Sequence, residues 1–417
     1  MTTLIKLKAH TPVITNNLEI ELLLCCAQTR INQSTAEAIQ NLVEQDVNWE
    51  YLLELAGRQG VKPLLYQSLQ STCPQAVPKR ILQQLQNYFH ANTIYSLFLT
   101  KELLFLLDFL DSKGIPAIPY KGPVLAASAY GKLSLRQCGD LDILVEPQNF
   151  LKAKNLLIDQ GYQPVKPSCF LTEAQEIAYL QDRGEYSLMR IDSKVFVDLH
   201  QRITAKHFFL FPLDFEFLWE RRQVVSLARS KVVNFCTEDL LIILCIHGSK
   251  HLWERLGWIC DIAELIHSHQ EIDWQELMEQ AKRLGCSRML NLGLFLTYLL
   301  LGVKLPESVH QSIQTDSVSP LLAAQIRQRL FSGVEDSTEG DSTEKFIFYF
   351  RMMERWQDKV WYCVGSIYRP LFRLIRPTLK DREFFALPPF LYSLYYLIRP
   401  IRMVSQLVIS KGKATCN

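Results

Sequence analysis

The stretch GDLDILVE, at 139–146, decides the fold and raises the chemical question of the site. Successive side chains of a strand point to opposite faces, so the apolar residues share one face while Asp140 and Asp142 share the other. Two carboxylates side by side repel each other, and the pattern therefore predicts a positively charged partner. Carboxylate oxygens are ligands that suit Mg²⁺, which makes a divalent cation the first candidate.

The segments around this strand alternate between extended and helical patterns. They are a short extended run at 115–120, a small-residue helix at 121–131, an amphipathic helix at 147–161, and two alternating arms at 185–191 and 194–201. The arms flank a turn-like Asp192–Ser193, which predicts a β-hairpin. A small mixed-sheet unit is therefore expected over 113–205.

Helical patterns flank this unit on both sides, so the expected class is α+β. The predicted regions are an N-terminal helical region at 1–112, the sheet-containing core at 113–205, a helical domain at 206–331, a linker at 332–344 and a basic, aromatic helical tail at 345–417. Ser34 and Glu37 form a capping-box pattern that predicts one N-terminal helix start. No further strand is expected after 206.

The composition is that of a globular protein rather than a disordered one, with 48% hydrophobic and 21% charged residues. Eleven cysteines without a CxxC pair argue against a disulfide framework or a structural zinc site, and favour a reducing cytoplasm. No apolar run reaches the roughly 20 residues of a membrane span, and no signal peptide is visible. We therefore expect a cytoplasmic protein.

The net charge of +2 is unevenly distributed along the chain. The segment 345–413 contains 13 Lys and Arg against 4 Asp and Glu, a net charge of +9. Its arginines are mixed with aromatic residues, which suits packing against the body, peripheral membrane contact, or single-stranded nucleic acid. No dedicated nucleic-acid motif supports the last of these.

Asp198 is the natural third acid of the predicted cation site. It lies in the second hairpin arm and faces away from the valines, as Asp140 and Asp142 face away from their apolar neighbours. Three carboxylates around one or two Mg²⁺ ions form a layout used for nucleotidyl transfer from a nucleoside triphosphate. The plainer alternative is that Asp140 caps a turn, Asp142 pairs with an arginine, and Asp198 is an ordinary strand-end acid.

A phosphate-binding turn is predicted just upstream. Gly122 stands at the start of a helix, where backbone N–H groups can approach a phosphate, and Lys121 places a cation beside it. Arg136, shortly before the acidic strand, could reach the same phosphates.

Polar residues of a later helix supply further candidates. His247 and His251 are spaced to share one helical face, although HGSKH lacks the glutamate of the HExxH zinc motif. They either hold a helix pair together with Asp261, or form with Lys250 and Asp261 the wall of an acceptor cleft. His200, two residues after the third acid, either orients that acid, contacts substrate or simply packs.

Several of these motifs together resemble a known family. Four stretches are similar to the uncharacterised bacterial nucleotidyltransferases of the polymerase-β-like superfamily: IPYKGPVLAASAYGKLSLRQCGDLDILV (118–145), NWEYLLELAGRQGVKPLL (48–65), VFVDLHQ (195–201) and HGSKHLWERLGWICDIAELI (247–266). The resemblance covers most of 45–305. It implies a nucleotidyltransferase core at 113–205.

The resemblance also implies roles for single residues. Gly122 matches the phosphate-binding glycine, Asp140 and Asp142 the paired metal ligands, and Asp198 the third acid. The chain departs from the wider superfamily because Pro123, rather than serine, follows the glycine, and 18 positions separate Gly122 from the first acid.

The expected function is Mg²⁺-dependent transfer of a nucleoside monophosphate from an NTP to a hydroxyl or phosphate of a small-molecule, sugar or peptide acceptor. Nucleotidylation of a partner protein is one alternative. A degenerate protein that only binds a nucleotide or a partner is another. The sequence identifies neither the base nor the acceptor.

Overall fold

The computed structural model describes residues 17–167, 173–205, 213–269, 271–331, 342–375 and 394–402. Met1–Glu354 forms one compact unit and Arg355–Asn417 another. The boundaries expected inside the first unit, near 112 and 205, stay predictions. The expected linker at 332–344 lies outside the described residues up to 341, and a helix begins at Ser342.

The N-terminal helices are α1 (Leu18–Cys26), α2 (Gln33–Val43), α3 (Trp49–Arg58), α4 (Lys62–Thr72) and α5 (Lys79–Ser112). Asparagines cap the first three, because Asn17, Asn32 and Asn48 each accept a hydrogen bond from the backbone N–H three residues later. The predicted capping box at Ser34 is therefore wrong. Asparagine caps a helix as well as serine does, and here it stands two residues earlier.

The main sheet contains β1 (Ala117–Pro119), β2 (Asp140–Val145), β3 (Tyr162–Lys166), β4 (Glu185–Arg190) and β5 (Val195–His200). Its order is β1-β2-β5-β4-β3. β2 runs parallel to β5, and the other neighbours are antiparallel. The expected hairpin is confirmed as β4 and β5, and so is the expected α+β class with a mixed sheet.

Three helices belong to the sheet region: α6 (Gly122–Tyr130), α7 (Phe150–Asp159) and α8 (Glu173–Arg183). A 3₁₀ turn at Leu133–Leu135 follows α6. The sequence patterns predicted α6 and α7 but neither α8 nor β3, which adds a fifth strand at the sheet edge.

The two faces of the sheet have different surroundings. The apolar side chains of β2 and β5 pack on α7 and on the last turns of α5, where Leu99, Leu103, Leu106 and Leu110 form one stripe. Leu144, on the opposite face of β2, belongs to the larger helical core. The carboxylates of β2 share that second face, so they point toward the helices that follow the sheet.

After the sheet come α9 (Phe215–Glu220), β6 (Gln223–Leu227), β7 (Ser230–Asn234), α10 (Thr237–Lys250), α11 (Leu256–Ser268), α12 (Trp274–Leu284), α13 (Ser287–Leu301), α14 (Glu307–Thr315), α15 (Ser319–Phe331) and α16 (Ser342–Met352). The expectation of no strand after 206 is wrong, since β6 and β7 form an antiparallel hairpin.

Gln59, just after α3, connects three parts of the first unit. Its side-chain oxygen accepts the N–H of Leu256 at 2.7 Å, and its amide donates to the carbonyl of Leu330 at 2.8 Å. Its own carbonyl accepts the N–H of Gly257 at 3.0 Å. The orphan N–H groups at the start of α11 are thus satisfied by the N-terminal region rather than by a local cap.

The second unit contains α17 (Trp356–Ile375) and a short helical segment at 395–402. Trp356, Val360, Trp361 and Val364 lie on one face of α17, and half or more of each is exposed, with Trp356 at 71%. The remaining parts of the predicted tail lie outside the described residues. Its contacts with the body, lipid or nucleic acid stay predictions.

Within the described part of the chain, none of the helices is both long and apolar enough to cross a bilayer. The nine cysteines described there are all free thiols.

Candidate functional site

The parallel pairing of β2 and β5 brings the acids of the two strands together. Asp142 lies opposite Asp198, and two residues further on Leu144 lies opposite His200. One ligand atom from each of Asp142, Asp198 and His200 lies within 4.8 Å of the other two. Asp140, which pairs with Phe196, is outside this group of described residues.

The positive charge predicted beside the carboxylates comes from Lys121. Its Nζ lies 2.7 Å from Oδ1 of Asp142, whose side chain is only 2% exposed. Nε2 of His200 lies 3.2 Å from the same oxygen. The alternative in which Asp142 pairs with an arginine is wrong, since a lysine and a histidine occupy that position.

Asp142 is held ionised by these neighbours. Burial alone would raise its pKa, but Lys121 and the hydrogen bond from His200 outweigh burial and hold the pKa well below its usual value. The second carboxylate oxygen, Oδ2, is buried and has no hydrogen-bond partner. A buried, ionised oxygen without a partner is unusual, and it is the atom a cation would satisfy.

Asp140 behaves differently from Asp142. The negative charge of Asp142 and then burial raise the pKa of Asp140 to about 6. Near neutral pH, the carboxyl of Asp140 is therefore much easier to protonate than that of Asp142.

Gly122 is required by the backbone at the start of α6. Its φ is +53°, in the left-handed region, and a Cβ at this position would lie 3.1 Å from the carbonyl oxygen of Asp140. The first turn of α6 therefore begins directly against the acidic strand. Pro123 removes one N–H from that turn, as the sequence indicated.

Arg136 is placed between Gly122, at the start of α6, and Asp261 of α11. Its Nε and Nη2 donate to the two carboxylate oxygens of Asp261, at 2.7 and 2.9 Å, and Nη1 lies 3.5 Å from the carbonyl oxygen of Gly122. The hydroxyl of Tyr130 donates to the same carboxylate at 2.7 Å. Arg136 is thus a paired cation in this structure, and its contact with phosphate stays a prediction.

The rings of His247 and His251 are in contact, with centroids 4.6 Å apart and planes tilted by 50°, and Trp258 packs on both. Nδ1 of His247 lies 3.5 Å from Nζ of Lys121. The expectation that Asp261 partners these histidines is wrong, because its carboxylate is occupied by Arg136 and Tyr130.

Both of these imidazoles are neutral at pH 7. Burial, followed by the charge of Lys121, lowers the pKa of His247 well below its usual value. Burial and the charge of Lys250 lower the pKa of His251 to about 4. The histidine pair therefore forms a neutral wall beside Lys121, and its role toward a substrate stays a prediction.

Glu185 is a site residue that the sequence reasoning missed. Its Oε2 lies 3.6 Å from Nδ1 of His200 and 3.7 Å from Nζ of Lys250. Glu185 pairs with His200 across β4 and β5. A hairpin centred on Asp192–Ser193 already requires this pairing, so register counting would have found it.

The mixed sheet thus presents the buried carboxylate of Asp142, the partly buried carboxylate of Asp198 and the buried imidazole of His200 beside a glycine-led helix, and these three groups could hold a metal ion. The model of a family described as an uncharacterised nucleotidyltransferase matches residues 45–302. This is more than half of the chain, and the chain belongs to that family. No curated protein matches the chain significantly. The bacterial source and the superfamily placement stay predictions.

Proposed function

We propose that the protein is a Mg²⁺-dependent nucleotidyltransferase. It would transfer a nucleoside monophosphate from an NTP to a hydroxyl or phosphate of a small-molecule, sugar or peptide acceptor. The family supports the reaction class. The buried, unpartnered Oδ2 of Asp142 beside Asp198 carries the proposal, because a cation bound between these two carboxylates would satisfy it.

The residues present fit a divalent cation. Asp142 and Asp198 would hold it, with Asp140 on the same face of β2 for a second ion or a later ligand. The chemistry that Mg²⁺ would supply is activation of the acceptor hydroxyl and neutralisation of charge on the triphosphate. Lys121, whose Nζ lies 2.7 Å from Oδ1 of Asp142, is the cation that would bind a phosphate of the triphosphate.

The chain's own groups divide the remaining tasks. The first turn of α6 at Gly122 offers backbone N–H groups to the triphosphate. Asp198 is the carboxylate proposed to accept the proton of the attacking hydroxyl. His247, His251 and Lys250 border the acceptor side, where two neutral imidazoles and one cation can hydrogen-bond a polar acceptor.

The experiment that tests this proposal combines the four common NTPs, Mg²⁺ and a metabolite extract with the purified chain. Release of pyrophosphate and appearance of nucleotide-adduct masses in the small-molecule fraction are expected. The Asp142→Asn with Asp198→Asn double variant should lose both signals. Adduct masses on protein instead would point to nucleotidylation of a partner.

A protein that binds a nucleotide without turning it over is the second candidate. Lys121 already neutralises Asp142, and Pro123 removes one phosphate-binding N–H, so the site can be stable without catalysis. NTP- and Mg²⁺-dependent thermal stabilisation without any pyrophosphate release would identify this candidate.

A further inference from the structure

We propose that His200, rather than Asp140, completes the inner ligand set with Asp142 and Asp198. The site then takes a first-row transition cation such as Fe²⁺ or Zn²⁺ in preference to Mg²⁺. This inference rests on the proposed function only in that a cation binds at Asp142, and its test separates the two.

The positions of the ligand atoms carry the first step. The carboxylate oxygens of Asp142 and Asp198 and a ring nitrogen of His200 lie within 4.8 Å of one another. Two ligand atoms on opposite sides of one ion at about 2.1 Å are about 4.2 Å apart, so small side-chain rotations bring all three into a coordination sphere. In the described part of the chain, no group of three potential ligands includes Asp140.

The hydrogen bonding of His200 carries the second step. Its side chain is 6% exposed, Nε2 faces Asp142 and Nδ1 faces Glu185, yet Nδ1 has no hydrogen bond. A ligating histidine needs one nitrogen aimed at the ion and the other aimed at a carboxylate that fixes the tautomer. His200 has that pair of neighbours, with Glu185 as the outer carboxylate.

The donor chemistry carries the third step. Mg²⁺ prefers an all-oxygen shell and gives up water reluctantly, whereas imidazole nitrogen suits Fe²⁺, Ni²⁺, Cu²⁺ and Zn²⁺. Two carboxylates and one imidazole in a buried position therefore bias the site toward the second group. A set of three carboxylates would carry no such bias.

Electron spin-echo envelope modulation of bound Mn²⁺ tests the inference without any turnover. The full chain with Mn²⁺ alone should show nitrogen modulation from a coordinated imidazole, and labelling histidine with ¹⁵N should change it. His200→Gln should remove the Mn²⁺ modulation and weaken Zn²⁺ binding by about 10- to 100-fold, while Mg²⁺ affinity changes little. His90→Gln, on the exposed face of α5, is the matched control and should leave both affinities unchanged.

The outcomes separate cleanly. Mn²⁺ bound at Asp142 without nitrogen modulation overturns the inference and leaves the proposed function standing, with His200 only a hydrogen-bond partner of Asp142. Failure of both Mn²⁺ and Mg²⁺ to bind overturns the metal part of the proposed function as well. If His200→Gln does not fold, retention of the modulation in His247→Gln and His251→Gln assigns the nitrogen to His200, and its loss in either overturns the assignment.

Discussion

Replacement of Lys121 by methionine should lower the free energy of unfolding of the metal-free chain and increase its affinity for a divalent cation. The substitution keeps the length of the side chain and removes the ammonium group 2.7 Å from Asp142. Because the carboxylate is almost fully buried, removal of its partner should destabilise the fold by about 3 to 5 kcal/mol. The destabilisation is expected at the lower end of this range because His200 remains beside Asp142. We expect a loss of about 3 kcal/mol at pH 8.

The loss should depend on pH in a defined direction. In the wild-type chain the pKa of Asp142 is depressed, so its contribution to stability is present above the unfolded pKa near 4 and is lost as the pH falls. Without Lys121, the buried carboxyl of Asp142 takes up a proton as the pH falls, and this removes the free-energy cost of burying its charge. The difference between variant and wild type should therefore shrink steadily from pH 8 toward pH 4.

The metal response is the decisive measurement. In the wild-type chain the positive charge of Lys121 opposes binding of a second cation at Asp142, so the variant should bind Mn²⁺ about 10- to 100-fold more tightly, which corresponds to about 1.4 to 2.8 kcal/mol. Isothermal titration calorimetry gives the affinities, and thermal unfolding with and without the ion gives the stabilities. Lys154→Met, which breaks the buried Lys154–Glu176 pair, is the matched control for losing an ion pair elsewhere. Equal or weaker Mn²⁺ binding by Lys121→Met than by the wild-type chain would refute the reasoning.

Three further substitutions test other parts of the structure. Asp140→Asn should raise the free energy of unfolding by about 1 to 3 kcal/mol at pH 8 without metal, and by almost nothing at pH 4. A carboxyl whose folded pKa is raised to about 6 loses stability as the pH rises from the unfolded pKa near 4, and the full cost is reached above about pH 6. Gly248→Ala should lose about 3 kcal/mol in denaturant unfolding, because its Cβ would lie 2.5 Å from the ring of Trp253. Tyr130→Phe should lose about 1 to 2 kcal/mol in the same assay, because it removes a buried hydrogen bond to the charged Asp261.

Each of these has an outcome that contradicts it. A stability of Asp140→Asn that is unchanged at both pH values would mean that Asp142 does not raise the pKa of residue 140. For Gly248, the control is Gly139→Ala, where a Cβ meets nothing within 4 Å, and equal losses in the two variants would rule out the ring contact as the cause. No loss in Tyr130→Phe would show that Arg136 alone satisfies the carboxylate.

Strand patterns predicted the core of the sheet but failed where turn or strand chemistry was atypical. The β6–β7 hairpin turns at Ala228, whose φ is +55°, so the glycine or asparagine that usually marks such a turn is absent. β3 was missed because Pro164 interrupts it, and proline is tolerated there since the strand lies at the sheet edge with a register shift beside it.

The candidate site was predictable to the extent that it follows from alternation along strands. Asp140, Asp142 and Asp198 were placed on one face because side chains alternate, and the parallel register then brings two of them together. The ion pair of Arg136 with Asp261 joins positions 125 residues apart and leaves no local signal. Long-range pairing of this kind could be found only from the fold.

Two buried cation–carboxylate pairs lie near Gly122, and their positive charges offset the negative charge of the acidic strand β2. The two pairs differ in their geometry. Arg136 donates two parallel hydrogen bonds to the carboxylate of Asp261, and Tyr130 donates a third. This geometry suits a fixed structural role. Lys121 contacts one oxygen of Asp142 with a flexible, single charge and leaves the other oxygen unpartnered. A planar guanidinium would satisfy both oxygens of Asp142 and close the position to any other cation. A lysine at position 121 therefore stabilises the acidic strand and leaves Oδ2 of Asp142 available. A cation site that has to fold before the cation binds needs both properties.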